Sequence, residues 1–281
     1  MEIIFIQMQI LFTALILLIG ISNYAQQPYK ELKGKNVLVF TKNGKGYVHE
    51  NIPSSIAAIQ KLGTEKGFTI DTTTNSAVFT DNNLKKYDAV IFSNTNNDVF
   101  DDEEQKVAFM RYIQAGGGFM GIHSASGTER NWKWFKLMLG ASFLRHPPFQ
   151  QFTVRVIAKD HAAVKNLAPQ WETKDECYFF KEINPSITVL LISDISNIKE
   201  SADGKNVTPN TFGNRYPAAW CHEFDGGKVW YTALGHSKED YSNTTYLAHI
   251  LQGLSWVVDK PKIDYKKARA TGSAIDEMKY F

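Results

Sequence analysis

The first half of the chain alternates short apolar runs with longer amphipathic segments. The apolar runs predict strands at 35–43, 68–74, 87–95 and 118–122, and the amphipathic segments predict helices at 54–67 and 101–118. The strand cores are apolar on both faces, which is typical of parallel strands covered by helices on both sides. Successive strand–helix units of this kind predict an α/β fold with a doubly wound, mostly parallel sheet.

The second half changes character, because its strands alternate apolar and polar residues or belong to a hairpin. Strands are predicted at 149–158 and 187–196, a hairpin over 217–236 that turns at Asp225-Gly226-Gly227, and a closing helix at 244–258. No linker-like stretch divides residues 34–260, so we expect a single domain there. A polar C-terminal tail, residues 261–281, follows it.

The N-terminal segment differs in composition from everything after it. Its apolar run, Ile10–Ile21, is shorter than the roughly 20 residues that a membrane span needs. Residues 1–25 are therefore predicted to be a signal peptide cleaved after Ala25, with an uncleaved anchor as the alternative. We expect an exported protein, periplasmic or associated with the cell envelope, that is free of the membrane once the signal is removed.

Composition and charge exclude some partners. The chain has 281 residues, 43% hydrophobic and 21% charged, with a net charge of +2 and no basic stripe interleaved with aromatics. A nucleic-acid partner is therefore not expected. The two cysteines, Cys177 and Cys221, show no zinc-binding spacing, and we expect two separate buried thiols rather than a disulfide. The oligomeric state is not predicted.

Polar residues concentrate where the predicted strands end. In an open α/β sheet, ligands bind beyond the carboxyl ends of the strands, so residues at these ends are the candidates for chemistry. Four of the seven histidines lie at such ends, together with two acids and a serine. The candidates are His49, His123, Ser124, His146, Asp175, Glu176 and His236.

Five motifs together resemble the ThuA-like (trehalose utilisation) family. They are VHE, GGGFMGIHSAS, WKWFKLMLGASFLRHPP, DECYFF and PAAWCHEFDGGKVWYTALGHSKEDY, and the resemblance covers about residues 35–258. It implies a flavodoxin-like sheet of the class I glutamine amidotransferase type and a setting in carbohydrate catabolism. At the positions that match the family's motifs, the resemblance implies that the characteristic polar residues are His49, His123, His146, Glu176 and His236.

The corner after the fourth strand carries a histidine where glutamine amidotransferases carry a cysteine. Glutamine hydrolysis needs a thiolate, so that activity is excluded by His123. The sequence Gly121-Ile122-His123-Ser124-Ala125 also departs from the GxSxG pattern of serine hydrolases. A hydrolase that uses Ser124 as its nucleophile remains an alternative.

The expected function is an enzyme, a hydrolase, lyase or isomerase, that acts on a sugar or keto-sugar. Histidine titrates near neutral pH, so His49, His123 and His236 with Glu176 are the expected catalytic residues. The three histidines are also candidate ligands of a divalent metal such as zinc. Expected substrate-binding residues are His146, Ser124, Asp175, Trp132 and Trp220. The alternative is a non-catalytic carbohydrate-binding module that stacks sugars on the tryptophans.

Overall fold

The computed structural model describes residues 29–200, 215–260 and 262–273. The chain divides into two compact units, residues 1–30 and residues 31–281, and the architecture below belongs to the second. The predicted signal peptide, residues 1–25, lies outside the described residues. Within the described ranges, no helix has both the length and the apolar character that crossing a membrane requires.

Five parallel strands form one half of a nine-stranded sheet. In spatial order they are β2 (Thr69–Thr73), β1 (Asn36–Phe40), β3 (Ala89–Ser93), β4 (Gly118–Ile122) and β11 (Gly227–Thr232). Every residue of β3 and β4 is buried, as the apolar runs predict. The α-helices of the described chain are α1 (Ile52–Lys66), α2 (Asp81–Leu84), α3 (Glu103–Gln114), α4 (Lys133–Leu139) and α5 (Thr244–Val258).

Four antiparallel strands complete the sheet. From β11 outward they are β10 (Arg215–Phe224), β9 (Thr188–Asp194), β6 (Gln150–Val156) and β7 (Gln170–Asp175). The fold is therefore α/β with a mixed sheet, and the prediction of a mostly parallel, doubly wound sheet is wrong for this half. The β10–β11 hairpin reverses the chain direction, and β6 and β7 pair antiparallel without a crossover helix. A separate two-stranded sheet joins β5 (Ser142–Arg145) to β8 (Phe179–Lys181).

Local capping residues set the helix ends. Helix α1 ends at Gly67, which adopts a left-handed φ of 78°. The Asp102 side chain accepts a hydrogen bond from the Gln105 N–H at 2.8 Å and caps α3. Gly116, with a φ of 94°, then lets the chain turn from α3 into β4. Asp102 and Gly116 therefore bound α3 and let β4 begin directly after it.

The sheet brings several loops to one edge. Strands β1, β3, β4 and β11 run parallel, so their carboxyl ends and the loops that follow them share that edge. The two cysteines, Cys177 and Cys221, are buried and free, as expected. In the described part of the C-terminal tail, the Arg269 and Ala270 N–H groups donate to the Gln114 side chain at 2.7 and 2.8 Å.

Candidate functional site

His123 stands at a strained corner where β4 ends. Its φ is 51°, a left-handed conformation that non-glycine residues seldom adopt, and a 3-10 turn, His123–Gly127, follows it. The imidazole is fully buried, and its Nδ1–H donates to the Ala233 carbonyl oxygen at 2.7 Å. Because a carbonyl only accepts, this bond fixes the tautomer of the neutral ring and leaves Nε2 as an acceptor.

His236 lies in the loop after β11, and the backbone of that loop is held from several sides. The Asn51 side-chain amide donates to the carbonyl oxygens of Gly235 at 2.6 Å and of His236 at 2.8 Å. The Tyr241 hydroxyl also donates to the Gly235 oxygen, at 3.0 Å. These bonds connect the loop to the region after β1, so His236 is positioned by the scaffold and not by its own loop alone.

Asp175, which the sequence predicts to bind substrate, lies beneath the site and holds its backbone in place. Its carboxylate is completely buried and accepts hydrogen bonds from the Gly235 N–H at 2.8 Å and the Glu176 N–H at 2.6 Å. Burial, together with repulsion from the nearby Asp240 carboxylate, raises the pKa of Asp175 to about 8. One buried carboxyl group thus ties the backbone beside Glu176 to the backbone beside His236.

Glu176 is surrounded by imidazoles. Its Oε2 atom lies 3.5 Å from His123 Nε2 and 3.2 Å from His236 Nδ1, and its Oε1 lies 3.4 Å from His146 Nε2. The nitrogens of His236 and His123 are 3.3 Å apart. The sequence places these four residues on separate segments, and the fold brings them to one carboxylate.

His49 completes the group from the loop after β1. Its ring centroid lies 4.8 Å from that of His123 and 5.4 Å from that of His236, and its Nδ1 is 3.2 Å from the Ser124 hydroxyl oxygen. One nitrogen or oxygen atom from each of His49, His123, Glu176 and His236 falls within 4.8 Å of the others. We call these four residues the His/Glu cluster.

The protonation states within the His/Glu cluster are set by burial and by mutual contacts. Burial lowers the pKa of His49 to about 3, helped by repulsion from His123 and His236. Burial also lowers the pKa of His123. Burial opposes ionisation of Glu176, yet its close contacts with His123 and His236 hold its pKa well below the usual range. The hydrogen bond to Glu176 raises the pKa of His236. Glu176 is therefore held as a carboxylate, and His236 beside it is the imidazole of the cluster that retains a proton most readily.

A cavity of about 410 Å³ opens over the His/Glu cluster, within the range of roughly 300–1,000 Å³ that small-molecule sites occupy. Three of the four cluster residues line it, and so do Ser124 and His146. The remaining lining residues are Tyr47, Asn96, Gly127, Arg130, Phe143 and Tyr178. We call this space the cluster cavity.

Tyr178 is a site residue that the sequence reasoning missed. Its hydroxyl lies 2.8 Å from His123 Nε2 and donates to it when the ring is neutral, because Nδ1 already carries the proton. The signal was present in DECYFF, since residues two apart in an extended segment point to the same side. Glu176 and Tyr178 satisfy that spacing and both reach the cluster cavity.

The sequence predicts that Trp132 and Trp220 stack on sugars, and the structure places both side chains in the core. Trp220 is fully buried and donates its indole N–H to the Leu139 carbonyl oxygen at 2.7 Å. Trp132 is 5% exposed and stacks on Trp134 with 5.2 Å between ring centroids. Both side chains belong to the core, and neither lines the cluster cavity.

Comparisons with known proteins agree on a family and a fold. The family ThuA, described as trehalose utilisation, matches residues 36–257. A ThuA-like protein from Bacteroides uniformis is 24% identical, with a TM-score of 0.67, over 85% of this chain and 96% of that one. One from Parabacteroides merdae is 18% identical, with a TM-score of 0.62, over 84% of this chain and 100% of that one.

A more distant structure shares the same architecture. A cytoplasmic protein from Salmonella typhimurium is 15% identical, with a TM-score of 0.55, over 79% of this chain and 99% of that one. Identities at this level show a common fold. None of the curated proteins matches the chain.

Proposed function

Because the chain belongs to the ThuA family, described as trehalose utilisation, we propose that it is an enzyme that acts on a sugar or keto-sugar in the cluster cavity. The observation that carries the proposal is the convergence of three imidazoles and a carboxylate within 4.8 Å at the floor of that cavity. A cluster of titratable groups in a cleft is the usual arrangement of acid–base and metal-assisted catalysis. The class of reaction we propose is hydrolysis, elimination or isomerisation.

The donor atoms of the His/Glu cluster fit a divalent metal such as zinc. Ligands about 2.0–2.1 Å from a tetrahedral zinc ion are about 3.3–3.4 Å from one another. The His236–His123 separation is 3.3 Å, and Glu176 lies 3.2 Å from His236 and 3.5 Å from His123. His49, His123 and His236 would hold the ion, which supplies a Lewis acid for a sugar carbonyl or hydroxyl oxygen when bound.

The second shell of His123 matches that of a metal-binding histidine. Its Nδ1–H is fixed on the Ala233 carbonyl oxygen, which orients the ring and raises the basicity of Nε2. The Tyr178 hydroxyl competes for Nε2 at 2.8 Å. Tyr178 must therefore turn toward the substrate whenever Nε2 serves as a ligand, and there its hydroxyl can donate to a sugar oxygen.

The acid and base roles follow from the contacts around Glu176. Glu176 is the proposed proton acceptor, because its imidazole partners keep it ionised and its Oε1 edge faces the partly exposed His146. When no metal is bound, His236 is the proposed proton donor, because Glu176 stabilises its charged form. His146 and Ser124 line the cluster cavity beside them and are the proposed contacts for substrate hydroxyl groups.

The alternative, a non-catalytic carbohydrate-binding module, is favoured by no separate observation. The two tryptophans first expected to form its stacking wall, Trp132 and Trp220, are buried, so the module would have to use other aromatic side chains. It also has no need for one carboxylate within 3.5 Å of three imidazoles. The histidine arrangement thus favours chemistry over binding alone.

Elemental analysis and a turnover assay test the proposal together. Protein purified without chelators is expected to carry about one divalent metal per chain and to convert a keto-disaccharide prepared by oxidising trehalose. Glu176→Gln is expected to lose turnover. Glu182→Gln, which changes a surface acid paired with Lys136 at 2.9 Å, is the control that keeps it. Sugar binding without turnover, with or without added zinc, would establish the binding-module alternative.

We also propose that the protein works outside the cytoplasm. The proposal rests on the apolar run Ile10–Ile21 and the small residue Ala25 after it. Intact mass and N-terminal sequencing of the exported protein are expected to show a chain that begins at Gln26. A chain that retains Ile10–Ile21 in a membrane fraction would establish an anchor instead.

A further inference from the structure

Three cavities that share lining residues adjoin one another, beginning at the His/Glu cluster. The cluster cavity shares Tyr47, His49 and His236 with a second cavity of about 350 Å³. The second cavity shares three further lining residues, Phe149, Ser237 and Glu239, with a third of about 500 Å³. We call this third space the β7 groove. A ligand bound at the cluster and long enough to pass His236 and Phe149 would therefore extend toward the β7 groove.

The β7 groove has aromatic side chains of its own. Trp171 on β7 is half-buried and lines the groove, whereas Trp132, Trp134, Trp220 and Trp230 are buried in the core. Phe149 is 38% exposed, and its ring centroid lies 5.4 Å from that of His236. Phe149 thus stands between the cluster and the groove, and Trp171 lies beyond it.

Polar groups lie beside these aromatic faces in the pattern that sugars require. A pyranose ring presents C–H groups on its faces and hydroxyl groups around its edge, so it suits an aromatic surface bordered by hydrogen-bonding side chains. Thr173, Ser237 and Asn243 border the β7 groove, and Lys174 holds its ammonium 5.3 Å from the Phe149 ring centroid. The β7 groove therefore suits a sugar ring better than an alkyl chain.

The charges around the groove exclude an anionic occupant. Three acids, Glu172, Glu239 and Asp240, line it against the single cation Lys174. A phosphate or carboxylate on the ligand would meet like charges there, which is destabilising at short range. The occupant with complementary chemistry is a neutral sugar.

We propose that the β7 groove is a second sugar subsite, in which Phe149 and Trp171 hold the unit of a neutral disaccharide or longer glycoside that does not react. This inference rests on the proposed function, which places the reacting sugar unit at the His/Glu cluster. Trp171 is then a specificity-determining residue, because it contacts only ligands long enough to leave the cluster cavity.

Calorimetric binding of trehalose and of glucose to the mature protein tests this subsite. Trp171→Ala is expected to weaken trehalose binding about tenfold, in line with the loss of an aromatic contact, and to change glucose binding less than about twofold. Phe149→Ala is expected to act in the same direction. Trp256→Ala is the matched control, because Trp256 is also half-buried but lies on α5 under Lys228, 5.0 Å from its ring centroid.

The outcomes separate the subsite from the proposed function. Equal losses for trehalose and glucose in Trp171→Ala, an equal loss in Trp256→Ala, or no trehalose binding by the unmodified protein would each overturn the subsite. Trehalose binding that depends on Trp171 in a protein without turnover would support the subsite and refute the enzyme. If the protein turns over a keto-disaccharide and Trp171→Ala and Phe149→Ala leave that turnover unchanged, the enzyme would be supported and the subsite refuted.

Discussion

The seven histidines fall into two groups with different surroundings. His49, His123, His146 and His236 meet at Glu176 beyond the strand ends, whereas His161, His222 and His249 lie apart from that cluster. His222 donates from Nε2 to the Met138 carbonyl oxygen at 2.6 Å, and His249 Nε2 lies 3.0 Å from the Thr232 hydroxyl. The first group contacts other titratable groups, and the second is held mainly by uncharged partners.

Burial alone does not distinguish the two groups. It lowers the pKa of His49 and of His249 alike to about 3. The neighbouring groups differ. His49 lies beside two further imidazoles and a carboxylate, whereas the partner of His249 is the Thr232 hydroxyl. A shifted pKa therefore indicates a functional histidine only when the charges that share the site are also present.

The largest expected difference between the groups is catalytic. His123→Asn is expected to reduce keto-sugar turnover by about 10³-fold or more while the melting temperature changes little. Asparagine tolerates the positive φ at this position and can still donate to the Ala233 oxygen. The same substitution at His222 is expected to keep turnover and lower stability. Equal turnover in the two variants would abolish the distinction.

The second difference concerns acid stability, which His249 is expected to control. Its pKa is about 3 in the folded chain and 6.5 in the unfolded chain. As pH falls below 6.5, the unfolded chain takes up a proton at His249 and the folded chain does not. The contribution of the neutral, buried His249 to the free energy of unfolding is therefore complete above pH 6.5 and is lost as pH falls toward 3. Between pH 7.5 and 4.5 the loss is about 2–3 kcal/mol.

Urea unfolding at these two pH values measures the contribution of His249. His249→Gln is expected to lower stability at pH 7.5, to leave turnover unchanged, and to reduce the difference between the two pH values. A variant with the unmodified protein's full pH dependence would show that other groups control acid unfolding.

A smaller effect is expected from the support beneath the cluster. Asp175→Asn preserves the size of the side chain but loses one of the two acceptors that hold the Gly235 and Glu176 N–H groups. We expect kcat to fall about tenfold, because the loops of His236 and Glu176 loosen, while the KM for the sugar stays within about twofold. A change confined to KM would contradict this positioning role.

The smallest effect is expected at Ser124, which tests the remaining hydrolase alternative. Its hydroxyl lies 3.2 Å from His49 Nδ1, a contact worth about 0.5–1.5 kcal/mol. Ser124→Ala is therefore expected to reduce turnover by less than about tenfold. A loss of 10³-fold or more, with a covalent intermediate in the mass spectrum, would make Ser124 a nucleophile.

Much of the parallel half could be predicted from the sequence, because burial on both faces leaves uninterrupted apolar runs. The runs that form β1, β3 and β4 are examples. His49 and His123 could be chosen as candidates because they lie in the segments that follow β1 and β4. Trp132 and Trp220 show the limit of this reasoning, since a tryptophan in a core and one on a sugar site look alike in sequence. Only the fold shows that Trp171 is the accessible one beside the site.

The antiparallel half is less predictable because its strands leave weaker patterns. Strand β7, QWETKD, is largely polar and reads as a loop, although it carries Asp175 and leads into Glu176. The position of Glu176 depends on the pairing of β7 with β6 at the far edge of the sheet. The two strands are consecutive along the chain, but residues 157–169 between them are too long a connection to be recognised as a hairpin turn.

The pairing of β11 with β4 has a consequence for how the protein is made. Gly118 of β4 is in register with Lys228 of β11, so one side of β4 stays without its strand until the C-terminal hairpin has been synthesised. The Ala233 carbonyl that orients His123 arrives with the same segment. A nascent chain therefore presents an open, fully apolar strand edge while residues 123–232 are synthesised, which is a hazard for aggregation. The catalytic corner is among the last features to mature, and chaperone demand is expected to peak before residue 227 emerges.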